Sequence, residues 1–194
     1  EPIQGTAGNI VPPTPFVEAM VELAHERGAL FIADEMICGF GRTGKNFGSE
    51  QHGIVPDIMT IGKGFGAGFP VTGVISRDEI VTAEPWSKPS FSSSSYGGNP
   101  LAAAAASASL AILVEEKLVE NAARVGAVLL ARLTEMMERH PLLGDVRGRG
   151  LMIGVDLVAD RRTKAPLPKS RCERLYGECL RRGLLTMAYT PRFR

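Results

Sequence analysis

Apolar residues fall at Phe16, Val17, Met20, Val21, Leu23 and Ala24, on one side of a 3.6-residue repeat, and this spacing predicts an amphipathic helix. Thr14 stands as its N-cap, Pro15 at its first helical position and Gly28 just past its end. The period then changes. Ala29 to Ala33 is a continuous apolar run of strand length, of the kind that suits a strand buried on both faces, and it stops at Asp34-Glu35. A second run, Ile58 to Ile61, follows Pro56-Asp57 and ends at Gly62-Lys63; a third, Val71 to Ser76, follows Phe69-Pro70. Asn99 and Pro100 open an alanine-rich helix to about Glu116, and another helix runs from about Leu118 to Arg139. After His140-Pro141 the pattern becomes glycine-spaced through Arg147-Gly148-Arg149-Gly150 and continues as an apolar strand, Leu151 to Val158. A helix from about Lys169 to Arg182, closed by Gly183, leads into the apolar stretch Leu184 to Tyr189. The predicted architecture is α/β, a mostly parallel sheet with helices over residues 1–140, followed over 141–194 by part of a smaller strand-helix-strand α+β domain.

Composition narrows the classes of function. The 22 Lys+Arg against 21 Asp+Glu leave a formal net charge of +1, which gives no electrostatic reason to expect a nucleic acid or an anionic membrane as partner. With 44% hydrophobic and 22% charged residues the chain has the make-up of an ordinary globular protein. Its longest small-and-apolar run, Leu101 to Val114, carries Ser107 and Ser109 and is too short to span a bilayer. Cys38, Cys172 and Cys179 are odd in number and lack C-x-x-C spacing, so neither a disulfide framework nor a zinc site is indicated, and a reducing cytoplasm fits. The chain opens at Glu1 without an initiator Met, and it is expected to be a piece of a longer protein.

Two polar residues, Asp34 and Lys63, stand at the ends of predicted parallel-type strands, where ligands gather in open α/β sheets. Standing alone, Lys63 between Gly62 and Gly64 reads equally as a surface lysine, and Asp34-Glu35 as a solvated strand terminus; together they suggest one site. Gly39 to Lys45 matches G-x-x-x-x-G-K, but Asn46 replaces the hydroxyl that holds magnesium and no helical pattern follows, so a nucleotide hydrolase is disfavoured. Gly62 to Gly68 also fails the G-x-G-x-x-G dinucleotide fingerprint. His25, His52 and His140 are scattered and read as surface or loop residues, with no metal cluster. Ser92 to Ser95, before Tyr96-Gly97-Gly98-Asn99-Pro100, offers hydroxyls and amides leading into a helix start, which suits a phosphate monoester or, equally, a flexible linker.

The order of these motifs resembles the class III aminotransferases, pyridoxal-phosphate enzymes of fold type I that include ornithine, 4-aminobutyrate and ω-amino acid:pyruvate aminotransferases. The resemblance runs through Glu1 to Gly5, Ile32 to Glu35, Gly39 to Gly44, Pro56-Asp57, Ile61 to Gly64, Tyr96 to Leu101 and Asp145 to Met152. It implies that the cofactor is pyridoxal 5′-phosphate, that Lys63 forms the internal aldimine and shuttles the substrate proton, and that Asp34 holds a proton on the pyridine nitrogen. It further implies Met36 against the ring face, and Ser95, with Ser94 as its companion, at the cofactor phosphate of a neighbouring subunit. A homodimer or larger assembly with shared sites is thereby expected. Glu1 matches a family glutamate near the site without an assigned step.

Ile37 stands where many members carry a glutamine, and Thr6 where ornithine and 4-aminobutyrate enzymes carry a glutamate, which favours an ω-amino acid or amine donor with pyruvate or 2-oxoglutarate as acceptor. The resemblance covers less than half of a family member, so the chain alone is expected to be inactive. A decarboxylase, racemase or aminomutase of the same fold, or a folded fragment without catalysis, are the alternatives.

Overall fold

A computed structural model describes residues 1–91, 94–187 and 192–193. Helix α1 spans Thr14–Glu26, and Gly28, at φ +68°, turns the chain out of it. Its N-cap is Pro13 rather than the expected Thr14. The Phe16 and Val17 amides that a Thr14 cap would serve donate to Pro13 O instead, at 3.0 and 3.3 Å, and the Thr14 hydroxyl is engaged elsewhere, with His52 Nδ1 at 3.2 Å. Strand β1 is only Ile32–Asp34, shorter than the apolar run that announced it. The Phe31 amide is taken by the Asp57 carboxylate, and Ile32 is exposed while Ala33 is buried, so β1 is covered on one side here rather than on both.

Strand β2, Ile58–Ile61, pairs parallel with β1, and β3, Gly73–Ser76, pairs antiparallel with β2, giving the order β1-β2-β3. The sheet is therefore mixed among the described residues, one pairing of each kind. A single helical turn, α2 (Asp78–Val81), follows it. The alanine-rich pattern forms α3, Pro100–Glu115, whose N-cap Asn99 accepts a hydrogen bond from Ala102 N at 2.9 Å. Its buried small residues, Ala102 and Ala106, let it lie close to the turn that follows β2. Helix α4 spans Leu118–Arg139, as its periodicity predicts.

The second sheet is antiparallel: β4 (Leu143–Arg149), β5 (Met152–Asp160) and β6 (Ala165–Pro166) in that order, with β7 (Arg192–Phe193) also on β5. β4 lies where only a glycine-spaced segment was expected. Helix α5, Lys169–Arg181, packs Cys172 into a core with Val155, Leu157 and Leu167, which Leu133 of α4 also meets. The strand expected over Leu184 to Tyr189 is not formed at 184–187, where Leu184 and Leu185 are exposed with no strand alongside; residues 188 and 189 lie outside the described residues.

The N-terminal residues join the two sheets. Asn9 Nδ2 donates to Ile153 O at 2.8 Å, Arg147 donates to Gly8 O at 2.6 Å, and Ile3, Cys38 and Met152 share a second core. Backbones also meet directly: a Cβ on Gly150 would stand 2.3 Å from the carbonyl carbon of Thr43, and one on Gly126 of α4 would stand 2.0 Å from Gly150 O. No helix among the described residues is long and apolar enough to cross a membrane.

Candidate active site

Because β1 and β2 run parallel, with Asp34 opposite Thr60, both strands deliver their carboxyl ends to the same edge of the sheet. The chain leaves β1 through Asp34-Glu35-Met36 and β2 through Gly62-Lys63-Gly64. Asp34 Oδ1 accepts hydrogen bonds from Met36 N at 3.0 Å and from Thr60 Oγ1 at 3.4 Å. Among the described residues no hydrogen bond reaches Oδ2.

Lys63 is exposed and opens a 3₁₀ turn, Lys63–Gly66, at φ +47°. A side chain in this left-handed region costs on the order of 1–2 kcal/mol, so the surrounding contacts must hold it there. Ser109 Oγ of α3 donates to Gly64 O at 3.2 Å, and Phe65 stacks on Phe40 with ring centroids 5.1 Å apart. Phe40 in turn meets the edge of Phe47 at 5.6 Å.

A cleft of about 740 Å³ opens beside this turn, lined by Lys63, Met36, Val71, Thr72, Ser94 and Ala102 among others. Met36 rests on the bare α-carbon of Gly62. Ser94 Oγ accepts a hydrogen bond from Tyr96 N at 3.3 Å, which steadies the approach to α3. Of the five residues singled out from the sequence, Lys63, Met36 and Ser94 thus share one cavity; Asp34 joins it through the Met36 amide, and Ser95 is not among its walls. Ser92 and Ser93 lie outside the described residues.

Three polar residues outside the candidate site residues drawn from the sequence carry the framework. Glu35, for which a solvated strand terminus was one of two equal readings, is fully buried: Oε2 accepts from Gly48 N at 2.8 Å and Oε1 from Ser49 N at 2.7 Å. Gly48 and Ser49 begin a short 3₁₀ turn whose first amides need acceptors, and the Glu35 carboxylate supplies them. His52, expected at the surface, is buried; Nε2 donates to Pro2 O at 3.0 Å and Nδ1 accepts from Thr14. Asp57 accepts from Phe31 N and His25 Nε2, both at 2.8 Å, and from Arg77 at 3.4 Å, and its carboxyl is held below the ordinary range, first by the Phe31 amide and then by His25. The loop Gly39 to Lys45 leads to no α-helix, and the next helical element is the turn Gly48–His52.

The profile of the family described as Aminotransferase class-III matches residues 1–192. The chain belongs to the class III aminotransferases. Its fold is that of the fold type I members, and the cofactor of the family is pyridoxal phosphate. Among class III relatives, alanine–glyoxylate aminotransferase 2, mitochondrial, of Homo sapiens is 41% identical over 186 residues, which cover 95% of this chain and 36% of that protein. A leucine/methionine racemase of Thermococcus litoralis is 43% identical over 178 residues, covering 92% of this chain and 38% of the racemase. The amine transaminase of an uncultivated Pseudomonas species, solved in its PLP-bound internal aldimine form, matches with a TM-score of 0.90 at 39% identity, covering 99% of this chain and 45% of that one. The chain spans less than half the length of these class III relatives.

Proposed function

We propose that the protein to which this chain belongs transfers an amino group from an ω-amino acid or amine to a 2-oxo acid, pyruvate or 2-oxoglutarate, using pyridoxal 5′-phosphate bound in the cleft at the ends of β1 and β2. The observation that carries this reading is the placement of Asp34 and Lys63 at one edge of adjacent parallel strands, with Met36 between them against Gly62. These residues suit the cofactor: a lysine amine in an open cavity, an apolar thioether resting where a Cβ would otherwise stand, and a carboxylate whose Oδ2 has no protein donor among the described residues.

When bound, pyridoxal phosphate supplies a carbonyl carbon that condenses with amines and a protonated ring that takes up the electron pair released at the amino-bearing carbon. Lys63 would hold the cofactor through Nζ and, as a free amine, would take the proton from the amino-bearing carbon of the substrate. Asp34, its Oδ1 already fixed by Met36 N and Thr60, offers Oδ2 to the ring N–H and keeps that proton in place. Met36 excludes water from one face of the cavity. Ser94 and Ser95 are proposed at the cofactor phosphate of a neighbouring subunit in a homodimer or larger assembly, and residues 1–140 and 141–194 as parts of a large and a small domain. The reducing cytoplasm is favoured by Cys38, Cys172 and Cys179, all free thiols.

The test is to express the full-length protein and follow amine transfer to pyruvate and to 2-oxoglutarate beside its Asp34→Asn variant. Transfer that falls by several orders of magnitude in the variant is the expected result. A racemase is the second reading, because a relative named for that activity is 43% identical. A donor deuterated at the amino-bearing carbon separates the two: loss of deuterium with the amino group retained and the configuration scrambled means racemisation, and appearance of the donor's oxo product means transfer.

A further inference from the structure

The geometry points to Glu35 as the positioning residue for Asp34, an inference that rests on the function proposed above. Glu35 lies between Asp34 and Met36 and is fixed at every polar atom it has. Its amide donates to Thr60 O at 2.9 Å, which carries the parallel ladder one residue past the end of β1. Its carbonyl accepts from Gly39 N at 3.0 Å. Both carboxylate oxygens accept from the consecutive amides of Gly48 and Ser49.

The approach on each side is close enough to require glycine. A Cβ on Gly39 would stand 2.9 Å from Glu35 O, and one on Gly48 would stand 2.5 Å from the Cβ of Cys38 and 3.2 Å from Glu35 Oε2. The fully buried carboxylate takes no part in the chemistry proposed for the cleft. Glu35 is the link between Asp34, the last residue of β1, and the turn that begins at Met36, so anchoring it fixes the direction in which the chain leaves the strand and the place of the Met36 amide. The Asp34 carboxylate is itself held by the Met36 amide, so any rotation of the peptides around residue 35 is passed to Oδ1 and from there to Oδ2. Glu35 thereby acts on the reaction through Asp34, without touching substrate or cofactor.

This predicts energetic coupling between the two residues, which a merely structural role does not. Full-length holoenzyme is prepared as wild type, Glu35→Gln, Asp34→Asn and the double variant, and kcat and KM for amine transfer are measured with thermal unfolding. The amide of Glu35→Gln sets an N–H group against one of the two backbone donors. It is expected to lower kcat by about ten- to a hundredfold with little change in KM, and to lower it by less than about twofold when Asp34 is already Asn. The shift in unfolding temperature is expected to be the same in both backgrounds. An equal fall in kcat in the two backgrounds overturns the inference and leaves Glu35 as a support of the fold. Unaltered turnover in Asp34→Asn alone overturns the proposed function and the inference together, and the single variant tells this failure from the first. Glu35→Asp keeps both acceptors but withdraws them by one methylene; it runs through the same cycle and decides the matter if Glu35→Gln does not accumulate.

Discussion

Met36 fills the space that a side chain on Gly62 would need: a Cβ built at residue 62 would stand 2.5 Å from Met36 Cε and 2.7 Å from its sulfur. The two residues come from different strand ends, so this contact sets how far the β1 exit stands from the lysine turn.

Replacing Gly62 with Ala is accordingly expected to drive Met36 away from the α-carbon of residue 62. Overpacking of this kind costs about 1–3 kcal/mol where neighbours cannot give. Methionine is flexible, so part of that cost is expected to appear as weaker cofactor binding rather than as unfolding. Cofactor titration of the full-length Gly62→Ala variant, followed by its visible absorbance, checks this. Wild-type affinity would show that Met36 moves without consequence for the cleft.

Lys63 is the sole lysine among the described residues lining the cleft. Lys63→Ala in the full-length protein is therefore expected to abolish the absorption band of lysine-bound cofactor, while Lys45→Ala, in a loop outside that cleft, keeps it. Borohydride reduction followed by peptide mapping gives the same answer by mass. A retained band in Lys63→Ala would require another amine to serve.

Asp57 links α1, the start of β1 and the end of β3 through His25, Phe31 and Arg77. Its carboxyl is held below the ordinary value of 3.8, so the folded state binds the proton less readily than the unfolded one. The resulting stabilisation is fully present above about pH 4 and is lost as pH falls through the lowered value. Asp57→Asn is expected to destabilise the protein at neutral pH by the loss of charge-assisted bonds, about 1.5–3 kcal/mol for one such bond, and to flatten the acid limb of the stability curve. Denaturant unfolding at pH 7 and pH 3 measures both; an acid limb as steep as that of the wild type would place the effect in another group.

Burial pushes the Cys38 thiol up to about 12. Burial also raises Cys172. The thiolate is the reactive form, so alkylation of the native protein near pH 8 is expected to label the half-buried Cys179 first, and Cys38 and Cys172 only on unfolding. Mass mapping of labelled peptides checks the order, and early labelling of Cys38 would mean that the core with Ile3 and Met152 opens readily.

Long amphipathic patterns were legible. Helix α4 has the ends its periodicity predicts, because apolar residues recur on one side of it for 22 residues without a proline. β4 was not legible: Gly144 and Gly148 stand in it because Val158 and the backbone of Met152 approach them closely, and a strand selected for such approach reads as a loop. The apolar run before Asp34 overstated β1, since the Asp57 side chain, 26 residues from Phe31, takes an amide that a longer strand would use. Within the candidate site, Lys63 and Asp34 stood out because strand ends in parallel sheets gather ligands. Glu35 and His52 did not, because a buried polar residue is recognised by its partners, and Gly48, Ser49, Pro2 and Thr14 come together only in the fold.

The meeting of Gly150 with Thr43, Gly44 and Gly126 leaves main chain against main chain from three distant parts of the sequence. Elsewhere in a protein a bulkier residue can be answered by a smaller one across the contact, since one side chain yields volume to another. Here there is no volume to yield. A saturation library over residues 44, 126 and 150 should hold almost no functional single substitutions and no compensating pairs, so that this junction stands as a fixed point around which the rest of the sequence is free to drift.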